Sequence, residues 1–308
     1  MHYLVTGGAG FIGSHIADAL VLHNHDVTVI DDFSAGRIEN LSGCRDKIRL
    51  IEADIADKKI LIDACSGVDG IFHEAAIASV PYSVENPDIS HEANLTGTIN
   101  VLDAARKCGV KKVVMASSAA IYGNNPQMPK LENMPAEPMS PYAVQKLSSE
   151  YYGMVYSDLY SLDFAALRYF NVFGPRQLPG SSYAAAIPAF ISSAVAGRRP
   201  VVFGDGEQTR DFIYVRDVVS ANLKAMESSA KGVFNISCGR GTSLNELLKI
   251  LGEICGGELN PEYALPRQGD VRYSYGDSSK FTDACGWRPE YSLKYGLLEA
   301  YEYFLGLE

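Results

Sequence analysis

The feature that most constrains the fold of this chain is a glycine-rich turn at residues 6–15, Thr-Gly-Gly-Ala-Gly-Phe-Ile-Gly-Ser-His. It follows a short apolar run at 1–5, typical of a buried strand, and leads into a segment at 11–23 whose apolar residues share one helical face. Glycines let the backbone turn tightly and approach a phosphate, and a helix N-terminus offers it unpaired N–H groups. Strand, glycine turn and helix together predict a dinucleotide site, although a tight strand-to-helix turn alone would also explain the glycines.

The glycine spacing fits two forms of the dinucleotide motif. Positions 8, 10 and 13 fit G-x-G-x-x-G, and positions 7, 10 and 13 fit G-x-x-G-x-x-G. We expect the cofactor contacts at this turn to come from Gly7, Gly10, Phe11, Ile12 and Gly13.

Composition and charge exclude several classes of protein. The 308-residue chain is 47% hydrophobic and 21% charged, which is typical of a globular protein with one large domain or two closely joined ones. No apolar run approaches the roughly 20 residues of a membrane-spanning helix, so we expect a cytoplasmic protein with no membrane partner. A net charge of −10 without a basic cluster argues against a nucleic-acid partner.

The cysteines and histidines show no metal-site spacing. The six cysteines contain no C-x-x-C pair, and the six histidines contain no H-E-x-x-H pattern. Small buried thiols are the better interpretation than disulfides or a zinc site, and we expect no metal.

Strands that alternate with helices predict an α/β fold with a parallel, doubly wound (Rossmann) sheet. The predicted strands lie at 26–30, 48–53, 70–73 and 112–116, and a continuous helix is predicted over 89–107. Ligands of such sheets bind at the carboxyl ends of the strands.

Acidic residues follow the second predicted strand, about 20 positions after the glycine turn, where a ribose is bound in such folds. Asp31 and Asp32 are expected to serve the adenosine ribose, although a solvated strand end is the alternative. They disfavour a 2′-phosphate, because like charges about 4 Å apart repel by about 4 kcal/mol at an effective dielectric of 20. NAD is therefore predicted over NADP, with Arg37 the one nearby residue that weakens this prediction.

The next two strands also end in residues suited to the cofactor. Asp54 and Ile55 suit the edge and face of an adenine, and Ala75 is small enough for the backbone to pass close to the cofactor.

Tyr142 and Lys146 lie one turn apart on a helix that Ser140 caps and Pro141 begins, so both project from one face. A tyrosine is a poor base, with about one in a thousand ionised at neutral pH. Lowering its pKa by about three units needs about 4 kcal/mol, which a lysine ammonium and an oxidised nicotinamide would supply. An ordinary amphipathic helix is the alternative, but the dinucleotide site and Ser118 at a strand end favour catalysis.

Several ordered motifs resemble the extended short-chain dehydrogenase/reductase family. The glycine turn, Ser118 and Tyr142-x-x-x-Lys146 carry the family pattern. Further motifs resemble its nucleotide-sugar branch, especially UDP-glucose/UDP-galactose 4-epimerases, and they lie at residues 117–123, 140–146, 167–176, 204–215 and 267–272. The resemblance extends from residue 3 to about 300.

The resemblance implies roles for individual residues. It implies catalysis by Ser118, Tyr142 and Lys146, and further NAD contacts from Asp31, Asp54, Asn94, Tyr142, Lys146 and Tyr169. It implies a substrate contact at Asn171, uracil packing on Phe203, diphosphate binding by Arg210 and Arg267, and ribose binding by Asp270. An acidic protein needs local cations to bind a diphosphate, and the forked guanidinium group of arginine suits the phosphate oxygens. For Arg210, a surface ion pair with Asp211 is the alternative.

The reaction is inferred from what the motif lacks. Dehydratase and decarboxylase relatives carry an acidic residue after the serine position, whereas this chain has Ala119 and Ala120. We therefore expect C4 epimerisation of a UDP-hexose through a 4-keto intermediate, with Ser118 sharing the hydrogen bond of the 4-hydroxyl. Ser274, four residues after Asp270, resembles the small residue of forms that also accept N-acetylhexosamines. A UDP-uronate 4-epimerase and a non-catalytic NAD-sensing regulator are the alternatives.

The resemblance also implies domains and an assembly. Residues 1–171 and about 212–236 are expected to form the NAD-binding domain, with about 172–211 and 237–308 forming a smaller mixed α/β nucleotide-sugar lobe. A homodimer is expected through a four-helix contact of helices at about 90–108 and 142–160. Four tyrosines of the second helix are expected on that face, or else packed internally: Tyr151, Tyr152, Tyr156 and Tyr160.

Overall fold

The computed structural model describes residues 1–177, 185–266 and 271–307. The strands are β1 (His2–Thr6), β2 (Asp26–Asp31), β3 (Ile48–Glu52), β4 (Gly70–His73), β5 (Lys112–Ser118), β6 (Asp163–Tyr169), β7 (Asn171–Phe173), β8 (Val201–Phe203), β9 (Thr209–Arg210), β10 (Phe212–Tyr214), β11 (Gly232–Ile236), β12 (Thr242–Ser243) and β13 (Glu262–Ala264). The α-helices are α1 (Phe11–Leu22), α2 (Lys58–Ala64), α3 (Val80–Glu85), α4 (Pro87–His91), α5 (Gly97–Cys108), α6 (Pro141–Tyr160), α7 (Ala186–Val195), α8 (Val215–Glu227), α9 (Leu244–Cys255), α10 (Ser279–Cys285) and α11 (Leu293–Leu305).

Seven of the described strands form a parallel sheet in the order β3-β2-β1-β4-β5-β6-β11. The strand order reverses between β1 and β4, where Thr6 pairs with Ile30 on one side and His73 on the other. A crevice opens at the carboxyl ends of the strands at such a point, and ligands bind in it. The prediction of a doubly wound Rossmann sheet is confirmed.

Apolar side chains cover both faces of this sheet. On one face α1 and α8 contribute residues such as Ile16, Leu20 and Val218 to a core with Val5 and Phe72. On the other face α2 and α5 pack against the sheet, and the inner side of α6 adds to this second core. Burial on both faces explains why the strands are almost continuously apolar.

A third core lies outside the main sheet, where α7, α9 and α11 pack around Phe173, Phe190, Leu247 and Leu297. The predicted nucleotide-sugar lobe includes most of this core, but Phe212, Tyr214 and Val215 of the same core fall within the predicted NAD-binding domain. Phe281, which was assigned to the lobe, packs instead in the core beneath α1 and α8. The division into two domains therefore stays a proposal.

The helix predicted over 89–107 is interrupted. It begins at Pro87, passes through a π-helical turn at Glu92–Thr96 and continues as α5, and Gly109 ends it in the left-handed conformation at φ 69°. π-Turns often lie at functional sites. This one points the side chain of Asn94 at the loop after β4.

None of the helices in the described ranges combines the length and the apolar character that a membrane crossing requires.

Candidate active site

The glycine turn between β1 and α1 has the close backbone packing that a pyrophosphate cradle requires. Gly7 adopts φ 66°, and a Cβ on it would lie 2.6 Å from the backbone nitrogen of Ala75. A Cβ on Gly13 would overlap the carbonyl oxygen of Gly7. Within the described chain no side chain caps the N-terminus of α1, which begins with Phe11 and Ile12. The turn therefore fits a dinucleotide, because the first N–H groups of α1 have no side-chain cap and can bind a phosphate.

Asp31 and Asp32 lie beside this turn, but in different environments. The Asp31 carboxylate is buried and accepts hydrogen bonds from the backbone N–H groups of Ala9 at 2.8 Å and Phe33 at 2.9 Å. Burial raises its pKa. Asp32 is exposed and accepts from the N–H of Ser34 at 3.0 Å. Asp31 thus fixes the position of the turn, and ribose binding stays a prediction for both residues.

The other predicted cofactor residues line the same edge of the sheet. Ile55 is buried, whereas Asp54 is exposed and accepts from the N–H of Ala56 at 2.8 Å. The side-chain amide of Asn94 accepts from the N–H of Ile77 at 2.7 Å and donates to its carbonyl at 3.1 Å. Asn94 therefore fixes the loop after β4, and any direct NAD contact by it stays a prediction.

Ser118, Tyr142 and Lys146 are brought together, as their motif predicts. Ser118 ends β5, and its hydroxyl lies close enough to the phenol of Tyr142 to lower the pKa of that group. Lys146 donates to the carbonyl of Ala116 at 2.8 Å, and its Nζ lies 5.9 Å from the ring centre of Tyr142. Ser140 caps α6 by accepting from a backbone N–H, which fixes the first turn that carries Tyr142.

The protein groups alone do not give Tyr142 the lowered pKa that the sequence predicts. Its side chain is 8% exposed, and burial raises its pKa, with the Ser118 hydrogen bond acting in the opposite direction and Glu74 adding to the rise. Burial lowers the pKa of Lys146 to about 8, so the lysine still carries a charge at neutral pH. Lys146 is not among the groups that shift the pKa of the phenol, and its amine lies 5.9 Å from the ring centre.

A buried ion pair connects α6 to the central sheet. Glu150, one turn after Lys146, pairs with Arg168 through two hydrogen bonds of 2.9 and 2.7 Å and accepts from the Ser117 hydroxyl at 2.5 Å. The bond geometry offsets the cost of burying both charges and fixes α6 against β5 and β6. Sequence reasoning missed this pair, because the i, i+4 spacing of Lys146 and Glu150 indicates a pair within α6 and gives no signal for Arg168 on β6.

A second carboxylate in the site was also missed. Glu74 follows β4, and its Oε1 accepts from the Tyr169 hydroxyl at 2.8 Å. The same hydroxyl accepts from the Asn222 amide at 2.7 Å. Burial raises the pKa of Glu74 to about 7. Tyr169 was predicted as a cofactor contact, and the structure places it within this hydrogen-bonded chain.

The predicted substrate residues lie in and beside the third core. Asn171 is exposed at the start of β7, and Phe203 at the end of β8 lines an open cavity of about 770 Å³. Arg210 donates to the carbonyl of Thr209 at 2.8 Å, and the N–H of Ser274 donates to that carbonyl at 3.2 Å. Arg267 and Asp270 lie outside the described residues, so their predicted roles stay predictions.

Asp211 organises this lobe in a way that sequence reasoning did not foresee. Its fully buried carboxylate accepts from three backbone N–H groups, those of Cys238 at 2.8 Å, Gly239 at 3.0 Å and Gly276 at 3.2 Å. Burial raises its pKa to about 6. The residue therefore joins the segment around Ser274 to β9 and to the loop after β11.

Comparisons with known proteins agree with this geometry. The model of the NAD dependent epimerase/dehydratase family matches residues 3–237. The chain is 40% identical to a UDP-glucose 4-epimerase of Mycolicibacterium smegmatis, covering 99% of this chain and 98% of the relative. It is 32% identical to a UDP-glucuronate 4-epimerase of Thermodesulfobacterium geofontis, covering 96% and 94%.

Solved structures are similar over the whole chain. A UDP-N-acetylglucosamine 4-epimerase from Methanobrevibacter ruminantium, in complex with UDP-N-acetylmuramic acid, has a TM-score of 0.96 at 40% identity, covering 100% of this chain and 99% of that one. A UDP-glucose 4-epimerase from Thermotoga maritima with UDP-glucose has a TM-score of 0.95 at 42% identity, covering 100% of both chains. A Thermus thermophilus UDP-glucose 4-epimerase complex with NAD has a TM-score of 0.91 at 36% identity, again covering 100% of both.

Proposed function

The chain belongs to the NAD dependent epimerase/dehydratase family, and from that premise we propose that it inverts C4 of a UDP-hexose through a transient 4-keto sugar. It is an NAD-dependent isomerase that acts on UDP-sugars. The finer proposal is that UDP-glucose and UDP-galactose are substrates, together with their N-acetylated forms. The observation that carries it is the contact of Ser118, Tyr142 and Lys146 at the carboxyl edge of the sheet.

The proposed chemistry moves one hydride and one proton. NAD, when bound, takes up the C4 hydride and returns it. Tyr142 accepts the proton of the sugar 4-hydroxyl and later gives it back, while Ser118 shares that hydrogen bond. Lys146 supplies a positive charge beside the phenol, and the oxidised cofactor is the further charge needed to offset the burial that raises the pKa of Tyr142.

The lack of an acidic residue at the two positions after Ser118 supports epimerisation over elimination of water. Ala119 and Ala120 form the short 3-10 turn after Ser118, and the Ser118 hydroxyl accepts from the N–H of Ala120 at 3.1 Å. Neither side chain can protonate a departing hydroxyl. Loss of water would need such a donor, whereas inversion at C4 does not.

Substrate range is proposed from the residues of the lobe. Phe203 lines the open cavity and is proposed to pack on uracil, with Arg210 at the diphosphate. Ser274 is small and only partly buried next to Thr209, which supports room for a 2-acetamido group. Asn171, Arg267 and Asp270 are proposed as further substrate contacts on the basis of their motifs.

The proposed assembly is a homodimer that pairs through the outer face of α6. This face exposes five apolar side chains: Val144, Tyr151, Tyr152, Val155 and Leu159. An exposed apolar stripe of this kind on a helix is typical of an interface. Tyr156 packs on the inner core and against Tyr160, which in turn lies 4.8 Å from the Arg106 guanidinium, so these two tyrosines make internal contacts.

One experiment tests the proposed function. The purified protein, with no cofactor added, is incubated separately with UDP-galactose, UDP-GalNAc and UDP-glucuronate, and the configuration at C4 is followed by NMR. We expect inversion of the first two sugars without net NADH. Inversion of the glucuronate alone would support a UDP-uronate 4-epimerase instead, and a 4-keto-6-deoxy product would contradict the proposal.

A further inference from the structure

Glu74 is a charged group in the active site to which the proposed chemistry gives no role. Its backbone N–H donates to the carbonyl of Thr6 at 3.1 Å, which fixes it at the point where the strand order reverses. Its carboxylate accepts from the Tyr169 hydroxyl at 2.8 Å. Backbone and side chain are thus both held, so the carboxylate has a defined position.

The hydrogen bond between Glu74 and Tyr169 crosses the end of β5. That strand lies between β4 and β6, and its register pairs Ser118 with Tyr169 on one side and Met115 with His73 on the other. The carboxylate therefore lies against the end of β5, at residues 116–118. Those residues contact the proposed catalytic pair, because Lys146 donates to the carbonyl of Ala116 and Ser118 lies beside the Tyr142 phenol.

The charged and titratable groups that face Glu74 come from two elements. The groups from α6 are Lys146 and Tyr142. The group from β6 is Tyr169, whose hydroxyl also accepts a hydrogen bond from the neutral Asn222 of α8. Lys146 also interacts with two other groups: its charge lowers the pKa of His73, and Glu150 is a second carboxylate near it. Glu150 also raises the pKa of Lys146, although its carboxylate is paired with Arg168 through two hydrogen bonds.

The electrostatic effects of Glu74 on its two neighbours have opposite consequences for activity. Burial lowers the pKa of Lys146 and Glu74 raises it, with a net value of about 8, so Glu74 favours the charged amine. It also raises the pKa of Tyr142 and so favours the neutral phenol. A base that must also return its proton needs a phenolate that is neither too rare nor too stable.

We propose that Glu74 is a positioning residue that keeps the buried Lys146 charged and restrains the ionisation of Tyr142. This role rests on the proposed function of that pair. Burying the ammonium with one anion fewer would favour the neutral amine, which would bring no positive charge to the site of the phenol. Between about pH 7 and pH 8, where Glu74 is mostly ionised and Lys146 is mostly protonated, the site holds a carboxylate and an ammonium beside a phenol that can both accept and donate a proton.

The test measures protonation directly and needs no turnover. Holoenzyme labelled with ¹³C at the lysine ε-carbon is titrated by NMR, with the Lys146 signal assigned from a Lys146→Arg variant. In Glu74→Gln we expect the titration midpoint of Lys146 to fall by about one pH unit, because an anion at this range shifts a pKa by about one to three units. Glu302→Gln, an exposed carboxylate on α11, is the control and should leave the midpoint unchanged.

Two further variants keep the inference testable if Glu74→Gln does not fold. Glu74→Asp should restore most of the wild-type midpoint, because it keeps the charge. Tyr169→Phe removes the hydroxyl that holds the carboxylate and should lower the midpoint by less than Glu74→Gln does. A Lys146 midpoint that is the same in wild type, Glu74→Gln and Tyr169→Phe would overturn the proposal. If the titrations give the expected midpoints but the wild-type protein shows no epimerase activity, the result would count against the proposed function instead.

Discussion

Tyr142 is the single residue on which the proposed chemistry depends most. Its hydroxyl meets Ser118, its ring lies beneath the Lys146 amine, and its burial disfavours the phenolate. These contacts explain why a tyrosine at this position can serve as acid and base only when positive charge is supplied nearby.

Replacing Tyr142 with Phe should stop epimerisation and leave the cofactor bound, because only the proton acceptor is removed. We expect kcat to fall by about 10²- to 10⁴-fold, the usual contribution of a general acid–base group. The nucleotide released on denaturation, measured by chromatography, should remain at the wild-type amount. Tyr151→Phe, an exposed site on the same helix, is the matched control. Wild-type turnover in Tyr142→Phe would exclude the proposed role.

Ser274 is proposed to decide which sugars enter. Ser274→Tyr should fill the space beside Thr209 and reduce kcat/KM for UDP-GalNAc by about tenfold or more, while UDP-galactose turnover is retained. Ser274→Ala, which leaves the space open, should accept both sugars. Rates are compared by NMR under identical conditions, and equal loss for the two sugars would argue against a role in selecting the 2-substituent.

At the scale of elements, the turn between β1 and α1 has no room for a side chain at Gly7 or Gly13. Gly13→Ala should abolish retention of NAD, because its Cβ would overlap the Gly7 carbonyl and displace the turn. Gly257→Ala is the matched control, since a Cβ there would meet no described atom within 4 Å. Cofactor content of the purified variants is the measurement, and normal NAD content in Gly13→Ala would contradict the fit of this turn to a pyrophosphate.

The sequence was sufficient to predict the elements whose signal is local. The glycine turn, the apolar strands and the Ser140 cap each depend on neighbouring residues, and they place Ser118, Tyr142 and Lys146 correctly at one edge. The π-turn at Glu92–Thr96 was not predictable, because it depends on how Asn94 reaches Ile77, far along the chain.

The distinction between local signals and long-range contacts also applies to the carboxylates of Glu74 and Asp211. Glu74 is recognisable as an active-site group only once Tyr169 is placed two strands away. Asp211 follows an arginine and suggests a surface ion pair, yet it is buried on three backbone N–H groups from distant segments. Contacts of this kind are set by packing between elements, and the sequence pattern of either element alone does not reveal them.

At the scale of the whole molecule, Asp211 joins the lobe to the sheet. Asp211→Asn should lower the free energy of unfolding by about 2 kcal/mol, because the amide nitrogen cannot accept and leaves a buried N–H unpaired. Urea denaturation followed by circular dichroism measures it. Asp158→Asn, an exposed aspartate on α6, is the control and should change stability little. Equal stabilities of the two variants would contradict the joining role.

The proposed dimer also belongs to this scale. Leu159, 68% exposed on the outer face of α6, should be covered in a homodimer, so Leu159→Glu is expected to give a monomer. Leu22 is 79% exposed at the end of α1, and Leu22→Glu should leave the mass unchanged. Light scattering after size-exclusion chromatography measures both. The same mass for both variants would exclude pairing through α6.

The central claim is that one hydride leaves C4 and returns to it within a single turnover. Epimerisation of UDP-galactose in D₂O, followed by NMR, tests this most directly. We expect inverted product that keeps its original hydrogen at C4, with no net NADH and no inversion by Tyr142→Phe. Deuterium at C4 of the inverted sugar would mean that a proton was removed and replaced from solvent, and it would contradict the account.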